Sequence, residues 1–236
     1  MNEPPTITEA IAQMRSGELT PTDLVEHSLS RIEQFDEQIR AWVLVDTEGA
    51  RREAEQLTQL AQRGEIVGPL HGIPIGIKDI IDVVGMPTKA GSPLRENIAP
   101  ADEDAPVVAA LRNAGAIILG KTVTTEWACF DPPPTRNPWN VDRTPGGSSS
   151  GSAAAVAMGM CLAALGTQTG GSIIRPAAYC GVCGLKPSFG SLSMDGIVPV
   201  SRHLDHVGPI ACSVADLHAI FAAMKNTDVT DLHEKS

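Results

Sequence analysis

GGSSSGSAAAVAMGMCLAALGTQTGGSIIRPAAYCGVCGLKP, residues 146–187, decides how the rest of this chain is read. Its first seven residues, Gly146-Gly147-Ser148-Ser149-Ser150-Gly151-Ser152, have the composition of a flexible linker. Their context speaks against one. Residues 153–160 continue directly as an apolar helix, and a linker has no place between core elements. A Gly/Ser loop entering a helix presents backbone N–H groups without intrahelical acceptors, suited to an anion or a developing oxyanion. From residue 162 an apolar strand runs into Thr169, Gly170 and Gly171 and stops at Ser172. Small residues there let N–H groups approach a substrate carbonyl, as an oxyanion hole requires. An ordinary tight turn would have the same composition.

Working outward, residues 144–200 carry only three charges, Arg175, Lys186 and Asp195, and are expected to form the buried centre. Upstream, Ile73-Pro74-Ile75-Gly76-Ile77 reads as a buried strand, 105–114 as a helix and 116–119 as another strand. Such alternation predicts an α/β fold, a layered sheet with helices on its faces, over residues 67–225. Residues 1–66 read as mainly helical. Thr20-Pro21-Thr22-Asp23 opens one helix, with Val25, Leu29 and Ile32 at helical spacing, and Ala50, Ala54, Leu57 and Ala61 mark another. A short strand is expected at 42–45 and an irregular loop at 131–138, which holds four prolines. Ser213-x-x-Asp216 caps a last helix with Val214, Leu217, Ile220 and Phe221 as its apolar side, and 226–236 reads as a polar tail.

Composition excludes several function classes. The net charge of −10 argues against nucleic acid and against an anionic membrane surface as partners, because both need clustered Lys and Arg. The longest apolar run, 153–165, is too short to span a bilayer. The opening MNEPPTITEA lacks the basic and apolar regions of a signal peptide, and five cysteines suggest no disulfide framework, so a cytoplasmic location is expected.

Three chemistries compete for the glycine- and serine-rich core. Phosphate binding lacks both G-x-x-x-x-G-K-[ST] and G-x-G-x-x-G. Gly147-Ser148-Ser149-Ser150-Gly151 matches the G-x-S-x-G nucleophile elbow, with His203, Asp205 and His206 as triad partners, but 137–145 is poor material for the strand that must precede it. The third uses Ser172, with Lys78 as its base. Lys78 ends an apolar strand, beside Asp79; it reads as a snorkelling surface residue, as half of an ion pair, or, if buried, as an amine deprotonated by desolvation. Cys180-x-x-Cys183 and His203-x-x-His206 read as structural, since no further ligand cluster supports a metal site.

Residues 146–187 closely resemble the signature of the amidase signature family. The resemblance extends to LHGIPIGIKDIIDV (70–83), GKTVTTEWA (120–128) and LDHVGPIACSVADL (204–217). It implies a mixed β-sheet between helical layers and a Ser–Ser–Lys triad: Ser172 as nucleophile, Ser148 as the bridging serine after a cis peptide bond, Lys78 as base. Thr169, Gly170 and Gly171, with Ser172 itself, match the oxyanion-hole backbone. Arg175 and Ser149 are the expected substrate contacts, and no metal or organic cofactor is implied. The activity implied is hydrolysis of a small carboxamide through an acyl-enzyme. Alternatives are an amidotransferase A-type subunit that frees ammonia from glutamine, and a truncated, inactive amidase-like protein.

The commoner pattern has Gly at Ser150 and Asp at Gln168, and many relatives place the arginine two, not three, residues past the nucleophile. These departures bear on substrate more than on chemistry. Family domains are also considerably longer, so the chain is expected to be C-terminally truncated and to associate with a second copy or a complementary chain.

Overall fold

The computed structural model describes residues 4–225; the expected polar tail lies outside the described residues. Two helices open the chain, α1 (Ile7–Ser16) and α2 (Pro21–Ile39), and each starts on a reciprocal capping box, Thr6 with Glu9 and Thr20 with Asp23. In each, the threonine hydroxyl accepts the N–H three residues on while the carboxylate accepts the threonine's own N–H. Then come β1 (Trp42–Val45) and α3 (Thr47–Gln62), whose Ala50, Ala54 and Leu57 are buried. The remaining strands and α-helices are β2 (Pro74–Lys78), α4 (Pro106–Asn113), β3 (Ile117–Thr122), α5 (Ser150–Ala157), β4 (Ala163–Gln168), α6 (Ile174–Cys180), β5 (Cys183–Gly184), β6 (His206–Ala211) and α7 (Val214–Lys225).

The strands form one mixed sheet in the order β1-β3-β2-β4-β6-β5. Central β2 runs parallel to β3 and β4, while β1, β6 and β5 pair antiparallel. Strand alternation sorts the core into two layers. Ile75, Ile77, Ile118, Leu165 and Val207 pack with Leu111 of α4 and Leu217 and Ile220 of α7. Ile117, Leu119, Ala164 and Ile210 pack on the other side with Val25 and Leu29 of α2, Ala54 of α3 and Ala153 of α5. The sheet therefore lies between helical layers. Gly151 shows why the serine-rich run is no linker: a Cβ there would strike the Ala41 carbonyl and the Val123 backbone, so α5 packs backbone to backbone against its neighbours.

Three local expectations are corrected. β3 runs past Leu119 to Thr122, because Lys121 is fully buried against Asp79 at 3.2 Å rather than marking a surface end. Val214 is exposed; its place on the inner side of α7 is taken by Asp216, which accepts from the Thr8 N–H (3.3 Å) and so ties α7 to α1. Finally, residues 144–200 are not buried throughout. From Gly181 onward the chain is largely half-buried or exposed, with Phe189 and Val200 on the surface, so its low charge reflects apolar surface as much as core.

Candidate active site

The site forms where β2 and β4 end and α5 begins. Register pairs Ile77 with Lys121 and Lys78 with Thr122, so Lys78 and Lys121 leave opposite faces of the sheet. Lys78 points toward α5. Its Nζ donates to Ser148 Oγ at 2.7 Å and to Thr167 Oγ1 at 2.8 Å. The side chain is completely buried, and desolvation holds its pKa well below the ordinary 10.5, opposed in part by the negative charge of Asp205. Asp79 is not the partner of Lys78; it pairs with Lys121 on the other face.

The Gly147–Ser148 peptide bond is cis. The Ser148 carbonyl accepts from Thr125 N–H (3.2 Å), and the Gly147 carbonyl accepts from Arg175 Nε (3.1 Å) and Nη2 (2.8 Å). The neighbouring serines are bound to backbone. Ser149 Oγ accepts from Thr167 N–H and donates to the Thr167 carbonyl, both at 3.2 Å. Ser150 Oγ donates to Gly146 O and Ser152 Oγ to Leu165 O, each at 2.8 Å. Ser148 is thus the serine of this run whose hydroxyl meets a lysine.

Ser172 is buried at the end of the turn after β4, and its carbonyl accepts from Ser149 N–H at 3.2 Å, which joins the two serine segments directly. Gln168 Oε1 accepts from Ile173 N–H (2.9 Å) and Ile174 N–H (3.0 Å), so the last side chain of β4 caps the first turn of α6. Among the described residues, nothing accepts from the N–H groups of Gly170, Gly171 or Ser172, and the space beside Gly170 is open. Open space beside a loop of small residues therefore adjoins the buried Ser172.

The histidine-based elbow finds no support in this geometry. No strand precedes Gly147, Ser149 is bound to Thr167, His203 is exposed, and His206 Nδ1 lies 3.3 Å from the Gln168 carbonyl. Cys180 is a buried thiol and Cys183 a half-buried one, both free. Among the described residues no group of three or more His, Cys, Asp or Glu is arranged to hold a metal, and no helix is long and apolar enough to cross a membrane. Two site residues carried no signal for this chemistry in the sequence. Thr167 is a strand residue whose hydroxyl meets Lys78, and Asp205, expected only as a histidine's partner, instead accepts from the Thr169 hydroxyl.

Known proteins resemble this chain in both sequence and fold. The A subunit of the glutamyl-tRNA(Gln) amidotransferase of Roseiflexus sp. (strain RS-1) is 43% identical over 234 residues, covering 96% of this chain and 47% of that protein. The native peptide amidase of Stenotrophomonas maltophilia superposes with a TM-score of 0.89 at 41% identity, covering 96% of this chain and 49% of that one. A protein from a vestigial complex that bears on the evolutionary origins of an s-triazine catabolic enzyme gives a TM-score of 0.91 at 40% identity, over 95% and 50% of the two chains. The chain spans about half the length of the curated relatives it matches. Residues 23–236 match the family model described as Amidase, and the chain belongs to the amidase signature family.

Proposed function

We propose that this chain carries the catalytic machinery of an amidase that hydrolyses a carboxamide C–N bond, with Ser172 as nucleophile, Ser148 as relay and Lys78 as base. One observation carries the reading: the 2.7 Å hydrogen bond between Lys78 Nζ and Ser148 Oγ in a completely buried setting. Burial disfavours the ammonium, and a neutral amine can take the Ser148 proton while Ser148 takes that of Ser172. Ser172 Oγ then attacks the amide carbonyl, and the oxyanion sits on the N–H groups of Gly170, Gly171 and Ser172, with Thr169 completing the turn. The amine leaves with a proton returned along the relay, and water hydrolyses the acyl-enzyme. Arg175 spends two nitrogens on the Gly147 carbonyl; its remaining donors are available to a substrate carboxylate.

A second reading is favoured by the relatives named as A subunits of glutamyl-tRNA(Gln) amidotransferase. Under it, the same acyl chemistry frees ammonia from glutamine for a partner chain. Apolar side chains exposed beside the site, Ile174, Tyr179, Phe189 and Leu204, support an association in either case, with a complementary chain or a second copy.

Labelling with a fluorophosphonate and mass mapping of the adduct tests the chemistry: modification at Ser172 supports it, and an unmodified Ser172 leaves an inactive, amidase-like chain. Glutamine, simple carboxamides and peptide amides offered in parallel separate the two substrate readings. Light scattering on the eluting species shows whether copies associate.

A further inference from the structure

We infer that Asp205 is a positioning residue of this site, which fixes the turn bearing the oxyanion donors through the Thr169 hydroxyl. The inference rests on the Ser172–Ser148–Lys78 reading. Antiparallel register pairs Gln168 with His206, so Thr169 and Asp205 are the next residues outward on adjacent strands. The Thr169 hydroxyl donates to Asp205 Oδ1. Asp205 Oδ2 accepts from the N–H groups of Val200 and Ser201, both at 2.8 Å, and its own N–H donates to Ser201 O at 2.9 Å. The carboxylate is therefore held by backbone from behind and presents its other oxygen to a single partner. That partner begins the turn ending at Ser172.

The same placement bears on the base. Asp205 is the charged group that acts on Lys78, favouring its protonated form against burial. The hydroxyls facing Lys78 Nζ are those of Ser148 and Thr167. Of the other charged or titratable side chains nearby, Lys121 leaves the opposite face of the sheet to Asp79, Arg175 is bound to the Gly147 carbonyl, and His206 lies against the Gln168 carbonyl. Asp205 thus couples the two halves of the reaction: the donors that receive the oxyanion and the amine that receives the proton.

Two substitutions separate these roles. Asp205→Asn keeps an acceptor for the Val200 and Ser201 N–H groups, removes the charge and turns an NH2 donor toward the Thr169 hydroxyl; Thr169→Val cuts the link and keeps the charge. The rate of fluorophosphonate labelling at Ser172 of the 236-residue chain, followed against pH by intact mass, is the readout. Asp205→Asn should move the midpoint of the rising limb down by about one pH unit. Thr169→Val should slow labelling about tenfold with the midpoint unchanged. If both variants match the wild type in rate and midpoint, the inference is overturned. A wild type that is not labelled at Ser172 sinks the catalytic reading instead. Amide hydrogen exchange of the peptide spanning 169–172 then decides the positioning role: faster exchange in Thr169→Val upholds it, and unchanged exchange refutes it.

Discussion

Arg175 directs both Nε and Nη2 at one oxygen, the carbonyl of Gly147, at 3.1 and 2.8 Å. The residue three places after the candidate nucleophile thereby holds the peptide group immediately before the candidate relay serine. A hydrogen bond from a charged donor contributes about 1.5–3 kcal/mol, and because both nitrogens share one acceptor the pair is counted as one such bond. Arg175→Ala should therefore reduce amide hydrolysis roughly ten- to a hundredfold, by releasing the Gly147 peptide. Kinetics on acidic and neutral amides tell whether the guanidinium also meets substrate. A larger loss on the acidic amide indicates that it does, and equal losses leave only the contact to Gly147.

Ser172→Ala and Lys78→Ala should each abolish nearly all turnover, and Ser148→Ala should leave a small remainder. Because the three act on one proton path, the double variant Ser172→Ala with Lys78→Ala should be no worse than either single one. Losses that add would mean that Lys78 and Ser172 act independently.

The buried amine predicts a pH profile. Activity should rise with pH as Lys78 loses its proton, with a midpoint well below the ordinary lysine value of 10.5. Stability should move the same way. Between the depressed folded pKa and the unfolded one, the unfolded chain binds the extra proton, so unfolding becomes harder as pH rises through that window. Urea midpoints measured at several pH values on wild type and Lys78→Met would show it: the slope attributable to Lys78 should vanish in the variant.

The sheet, its helical layers and the serine-rich turns were legible because each leaves a short-range pattern. An apolar run ending in Lys78, a Gly/Ser loop running into an Ala-rich helix and a capping box are all read within a few residues. What was not legible depends on register. Lys121 follows Leu119 and Gly120 and reads as a strand end, yet parallel pairing with β2 brings it to Asp79. Asp205 meets Thr169 only because β4 and β6 pair with Gln168 opposite His206. Gln168 caps a helix from the strand side, where no capping motif would place it. Val214 shows the converse: a capping signal fixes where α7 starts but not which side it buries.

The Asp79–Lys121 pair makes a prediction about stability that is independent of catalysis. Both side chains are fully buried and lie 3.2 Å apart. Lys121 Nζ also donates to Thr88 Oγ1 (2.9 Å) and Pro87 O (3.3 Å), and Asp79 Oδ1 accepts from Lys89 N–H (3.3 Å). Asp79 Oδ2 has no hydrogen-bond partner. Burial pushes the Asp79 pKa up and the Lys121 pKa down, and each residue's charge opposes the shift of the other. Removing one partner strands the other, so Lys121→Met should cost about 3–5 kcal/mol. Adding Asp79→Asn to Lys121→Met should recover part of that loss, since no buried charge then remains. The sign with pH follows from Asp79. Without Lys121, its folded pKa rises further above the unfolded one, so the folded state holds the proton more tightly and stability falls as pH rises through that interval. The penalty of Lys121→Met should therefore be smaller at about pH 5 than at about pH 8. Urea unfolding of the wild type, both single variants and the double variant at these two pH values measures all of this. A Lys121→Met variant as stable as the wild type at both would show that the pair contributes nothing to the fold.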